Sequence, residues 1–204
     1  MILDNMTYSE ICTHLTSDIR HAEGYARNLK FMTYRSEAIK RKKYPLFFKP
    51  IFHVTTQRNR WFVVPHVRSR KDLTRIPYYL GCIFKQHDRT IMFMQINLTE
   101  CRNVNFIFTY AFFERYAIRN RIHGISEEEI VFHFVRSLHK ISLQEVEHRC
   151  CKKQFLFSEN GMALGYADSK NKDLIVFKTY VSVENGPTDL VKMHKDWKFF
   201  QSIM

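Results

Sequence analysis

The stretch TYAFFERYAIRNRIHGISEEEI, residues 109–130, reads as two helices divided by a glycine. The first, about 107–121, sets Phe112, Phe113, Tyr116 and Ala117 on one apolar stripe. Arg115 and Arg119 are four residues apart, so they project side by side next to that stripe. Gly124 breaks the pattern. Ser126 with Glu129 then forms a capping box for a second helix of about 12 residues, and Glu127 and Glu128 add favourable charge to its first turn. Two adjacent guanidiniums beside an anchored stripe can hold an anion such as a phosphate.

Upstream, Thr7 and Glu10 form a second capping box, which opens a helical segment running to Lys43 with a break near Gly24. Pro45 disfavours helix at Tyr44. Strand patterns follow: 51–56 pairs with 61–67 around Gln57-Arg58-Asn59-Arg60, and 78–84 pairs with 90–98 around 85–89. A basic loop, 68–75, joins the two hairpins. Downstream, Ser142 with Glu145 suggests another helix start, and Asn160-Gly161 forms a tight turn between 155–157 and 162–166. A long strand follows at 174–183, and Pro187 opens a last helix holding Trp197, Phe199 and Phe200. The expected class is α+β, with antiparallel β meanders, an N-terminal helical segment and a central helix pair. The 204 residues read as a single domain, with residues 1–45 the helical segment and 46–204 the α+β body.

Apolar content of 45% is enough for a sizeable core and excludes a disordered tail. The net charge of +12 is unevenly spread: residues 1–122 hold 21 Lys and Arg against 9 Asp and Glu, while residues 123–204 hold 11 of each. Such asymmetry favours a polyanion, nucleic acid before an acidic protein or a membrane surface. The cations expected to meet it are Lys40, Arg41, Lys42 and Lys43 at a helix end, Arg58 and Arg60 in the first turn, and Arg68, Arg70 and Lys71 in the basic loop. A solvated helix end is the bland alternative for the lysine run. Asp4 and Glu10 interrupt the first ten residues, so no secretory leader is expected, and no apolar run approaches the ~18–20 residues of a membrane span. Five cysteines without paired spacing fit a reducing cytoplasm.

No metal is expected, because His148-Arg149-Cys150-Cys151 lacks a second ligand pair and His133 and His139 do not share a helical face. No cofactor is expected either: the six glycines form neither a P-loop nor a dinucleotide fingerprint, and there is no G-x-S-x-G elbow. Metal-free phosphodiester cleavage remains, in which a base takes the 2′-hydroxyl proton and cations stabilise the phosphorane. Residues suited to it are Tyr110, Glu114, Arg115, Arg119 and His123, with Lys178 and Thr179, and Tyr180 beside them, on the late strand. Carboxylates such as Glu100 or Glu145 against both arginines would instead make the pair structural.

The segment from Phe113-Glu114-Arg115-Tyr116 through Arg119 to Gly124-Ile125-Ser126-Glu127-Glu128-Glu129-Ile130 resembles the "H-x-x-x-E-R … R-G-I-S-x-E-E-I" segment of small bacterial toxin-like ribonucleases of the barnase–EndoU–colicin–RelE group. The resemblance covers about residues 106–183, including Gly165-Tyr166 and Ile175–Tyr180. It implies a metal-independent ribonuclease. The histidine of that pattern is replaced here by Tyr110 or Ala111, so either Tyr110 or His123 acts as base or the activity is absent. The leading expectation is a basic intracellular protein that interacts with RNA, with catalysis left open and no membrane partner. A non-catalytic accessory protein of bacterial or mobile-element type is the alternative, and a scaffold for an acidic protein is the third.

Overall fold

Burial of the apolar stripes organises the described residues into ten strands and five α-helices. The computed structural model describes the backbone except at residues 1, 30, 42, 100, 101, 139, 140, 149, 150, 185 and 204, and additionally leaves undescribed the side chains of 97–99, 102, 147, 148, 151, 152 and 200–203. The chain divides into two compact units, Met1–Gln95 and Ile96–Met204. The class is α+β.

The N-terminal unit begins with α1 (Tyr8–Asn28), capped by Thr7 and Glu10 as the sequence indicates. Ile11, Leu15, Ile19, Ala22 and Ala26 form its buried stripe. The expected break at Gly24 does not occur. Gly24 is an exposed position inside the helix, where glycine costs only about 1 kcal/mol, and α1 stops instead where Leu29 turns extended. A second helix, α2 (Met32–Arg41), follows.

The sheet of this unit contains β1 (Leu46–Phe47), β2 (Ile51–Val54), β3 (Arg60–Val67), β4 (Tyr78–Gln86) and the first part of β5 (Arg89–Thr99), within which the unit boundary falls. β3 pairs antiparallel with both β1 and β2 and, on its other side, with β4, which pairs with β5. Residues 61–67 of β3 are all buried, including Pro65. Pro65 is tolerated because it falls in the gap between the β1 and β2 pairings, where no partner needs its missing N–H. The turn between β4 and β5 places His87 and Asp88 both at positive φ, 50° and 57°, the geometry of a two-residue hairpin. The basic loop between β3 and β4 contains a 3-10 turn, Arg70–Leu73, in which the Asp72 carboxylate accepts from the backbone N–H groups of Arg68 and Ser69.

The C-terminal unit contains β6 (Arg102–Phe108), α3 (Tyr110–Arg119), α4 (Glu127–Ser137), β7 (Ser142–His148), β8 (Cys151–Ser158), β9 (Gly161–Ala167), β10 (Leu174–Ser182) and α5 (Thr188–Ile203). Its sheet runs β6-β10-β9-β8-β7, parallel between β6 and β10 and antiparallel elsewhere. Two sequence expectations are corrected here. The arginine helix does not begin near 107, because Ile107 and Phe108 end β6. The run Val104–Phe108 is buried throughout, and a strand covered on both faces carries no alternation to announce it. The helix expected at Ser142 is β7. Glu145 serves no cap; it lies opposite Gln154, whose Nε2 donates to Glu145 Oε2 at 2.7 Å.

Ser126 caps α4 with the full capping box. The hairpin at Asn160-Gly161 also forms, but its two loop residues are Glu159 and Asn160, and Gly161 is already paired with Ser158. Gly161 is required by close approach: a Cβ there would run into the Val181 carbonyl oxygen and the Tyr180 hydroxyl. Phe106, Phe108, Phe112, Phe134 and Phe177 stack edge-on and face-on between the sheet and the helix pair. Trp197 of α5 stacks on Phe157 with centroids 5.6 Å apart.

Candidate nucleic-acid interface

The arginine pair of α3 faces β10, the late strand. Beyond Phe177 the parallel pairing with β6 ends, and the register with β9 shifts between Phe177 and Thr179, leaving Lys178 as a bulge. Arg115 Nη1 donates to the carbonyl oxygen of Lys178 at 3.2 Å and also to Thr179 Oγ1. Arg119 Nη1 donates to the carbonyl oxygen of Tyr180. The arginines therefore bind backbone oxygens just past the end of the parallel ladder. Neither has a carboxylate partner among the described residues. Glu145 bonds Gln154, and Glu100 lies outside the described residues.

The other residues suited to cleavage are less well placed. Lys178 is exposed, with its ammonium 4.9 Å from the Tyr166 ring centroid. Glu114 and His123 are exposed and hydrogen-bond no described side chain, while Tyr110 is half-buried at the start of α3. Among the described residues, neither guanidinium has a histidine partner. His133 instead meets the Tyr116 hydroxyl at 2.8 Å, and burial holds its pKa below the ordinary value. An open pocket of about 500 Å³ beside Arg119 adds Arg121 and Lys198, but Glu159 and Glu184 line it too.

The chain matches no protein family, no curated protein and no solved structure.

The N-terminal unit differs in its electrostatics. It holds 17 Lys and Arg against 7 Asp and Glu. Lys40 and Lys43 are exposed around the end of α2, Arg41 is ion-paired with Glu37 at 2.6 Å, and Lys42 lies outside the described residues. Arg58 is exposed in the β2–β3 turn at φ 61°, and Arg60 lies 4.0 Å over the Phe52 ring. Arg68 donates to the Tyr79 hydroxyl at 2.9 Å, and Arg70 and Lys71 are exposed on the 3-10 turn. Behind them His66 is 2% exposed and stacked between Phe47 and Tyr79. Burial, with Arg68 nearby, pushes its pKa down to about 4, so it is neutral and adds nothing to the cationic field.

Sequence reasoning missed a pocket of about 430 Å³ in which Arg27, Arg35 and Arg75 lie beside Phe31 and Tyr78. Arg27, Phe31 and Arg35 recur every fourth residue, a signal that was present. It lies across the end of α1 and the start of α2, and Arg75 comes from the far side of three strands. It also missed Asp18, the buried carboxylate of α1. Asp18 Oδ2 accepts from Thr55 Oγ1 at 2.6 Å, Asn59 Nδ2 at 2.8 Å and Trp61 Nε1 at 2.8 Å. Burial pushes its pKa up, but the three donors, with His21, outweigh burial and hold it below the ordinary carboxylate value.

Proposed function

We propose that the protein binds nucleic acid, RNA in the first instance, through the basic surface of its N-terminal unit. The observation that carries this is how that unit uses its acids. Glu23 and Glu37 pair with arginines, while Asp4, Glu10, Asp18 and Asp72 accept from backbone or buried donors. The cationic excess is therefore left facing outward, interleaved with rings at Phe52 and Tyr79 that guanidiniums already cover. A cytoplasmic setting goes with this reading, supported by Cys82 standing as a buried free thiol. No described helix is long and apolar enough to cross a membrane.

Binding without cleavage has the better support. A ribonuclease-like site needs a base near its cations. The Arg115–Arg119 pair is engaged with backbone oxygens and has no histidine partner among the described residues. The test is affinity for a generic single-stranded RNA as salt is raised. Log affinity should fall linearly with log salt, by about 0.7 per phosphate neutralised, and replacing Lys40, Arg41, Lys42 and Lys43 together by alanine should flatten the slope. A flat salt response overturns the proposal, and capture of an acidic protein with no RNA affinity would put a protein partner in its place.

A further inference from the structure

The pocket around Phe31 and Tyr78 is the most selective cationic feature of the N-terminal unit. Arg27, Arg35 and Arg75 line it, and no Asp or Glu does among the described residues. The acids nearest in sequence are committed elsewhere: Glu37 to Arg41 at 2.6 Å, Asp72 to backbone N–H groups, and Glu23 to Arg27 itself at 3.3 Å across an exposed pair. Arg35 and Arg75 are exposed and have no side-chain hydrogen bond or ion pair among the described residues. Their charge is thus available to a ligand.

The wall beside them is aromatic and held in place. Phe31 and Tyr78 lie with ring centroids 6.1 Å apart, and Phe31 also meets Tyr34, which packs on Phe48 at 4.7 Å. Phe31 and Tyr34 rest on the small core of Ala38, Phe48, Val67 and Ile76. Rings fixed by a core lose little freedom when a flat ligand stacks on them.

Resting on the nucleic-acid reading, we infer that this pocket takes one nucleotide carrying a phosphomonoester, its base against Phe31 and Tyr78 and its phosphate on Arg35 and Arg75. Two arguments favour a terminal phosphate over an internal one. A phosphodiester offers one negative charge to the two available guanidiniums of Arg35 and Arg75, whereas a phosphomonoester carries about −1.5 to −2 at neutral pH and three acceptor oxygens. A concavity of about 430 Å³ also lies within the range of small-ligand sites, roughly 300–1,000 Å³, which suits one nucleotide rather than a strand. Forked guanidiniums match phosphate oxygens better than ammonium groups do, and the pocket cations among the described residues are arginines.

The experiment uses the full chain and one short RNA sequence with a 5′-phosphate, a 3′-phosphate or hydroxyls at both ends, followed by fluorescence anisotropy, with AMP as competitor. The expected result is that one phosphorylated end binds about tenfold or more tightly than the hydroxyl-ended strand. Arg35→Ala and Arg75→Ala should abolish that preference, weakening the phosphate-ended strand far more than the hydroxyl-ended one. Competition by AMP with a preferred 5′-phosphate assigns the site to a 5′-nucleotide, and a preference for the 3′-phosphate assigns it to the other end. Arg35 and Arg75 are exposed, so both variants should melt with the parent; Tyr78→Leu, which removes stacking but no charge, is a second check and should also weaken the preference. Equal affinity for all ends, with steep salt dependence retained, overturns the inference and spares the nucleic-acid reading. A preference that survives both arginine substitutions overturns the pocket assignment. Failure of every strand and of AMP to bind at low salt overturns both.

Discussion

The indole N–H of Trp61 on β3 donates to the Asp18 carboxylate on α1 at 2.8 Å, and both residues are fully buried. Thr55 and Asn59, from the turn that leads into β3, donate to the same oxygen, so one carboxylate ties the first helix to the first hairpin. Asp18→Ala would remove the shared acceptor of three buried donors, of which only Asn59 Nδ2 has a second partner among the described residues, His14 Nε2 at 3.2 Å. The expected cost is about 3–5 kcal/mol, read as a fall in the midpoint of chemical denaturation. Trp61→Phe removes one donor and should cost less than Asp18→Ala; equal or smaller loss from the aspartate change would show that the three bonds do not act together.

His66 makes the stability of the N-terminal unit depend on pH. Its folded pKa of about 4 lies below the ordinary 6.5, because burial disfavours the imidazolium. Between those values the unfolded chain binds more protons than the folded one. The resulting stability is therefore fully present above pH 6.5 and is lost as the pH falls toward 4, on the order of 3 kcal/mol over the whole window. His66 makes no side-chain hydrogen bond among the described residues, so His66→Phe should keep the stacking on Phe47 and Tyr79. Denaturation measured across that range should show a shallower acid slope for the variant.

Arg115 and Arg119 contribute to the fold through the carbonyl oxygens of Lys178 and Tyr180. Charge-assisted bonds of this kind are worth about 1–3 kcal/mol. Arg115→Ala and Arg119→Ala should each lower the melting temperature while leaving the RNA affinity of the folded fraction unchanged. An unaltered melting temperature with lost affinity would return the pair to the role of a ligand site.

Ser126 accepts the Glu129 N–H at 3.3 Å, and its own N–H donates to the Glu129 carboxylate at 2.8 Å. Ser126→Ala should destabilise by ~1 kcal/mol, and Ser126→Asp, which can still cap, should recover most of that loss. A thermal melt of the two variants side by side is sufficient.

What the chain states by itself is local. Capping boxes at Thr7 and Ser126, the stripe on Phe112, Phe113 and Tyr116, and the hairpin near Asn160 depend on neighbours a few residues apart, and each formed. The uneven charge was also plain, because it needs only counting. Where two local signals competed, packing chose: Ser142 and Glu145 spell a cap, but the pairing of residues 142–148 with 151–157 made them a strand. β6 was hidden because burial on both faces removes the alternation by which a strand is recognised. The candidate sites depended on distance in sequence in the same way. That Arg115 and Arg119 would spend hydrogen bonds on β10 follows from a bulge at Lys178 more than fifty residues later, and the pocket joins Arg35 to Arg75 across β3. Side-chain spacing says which residues share a face. Only the folded sheet decides what that face meets.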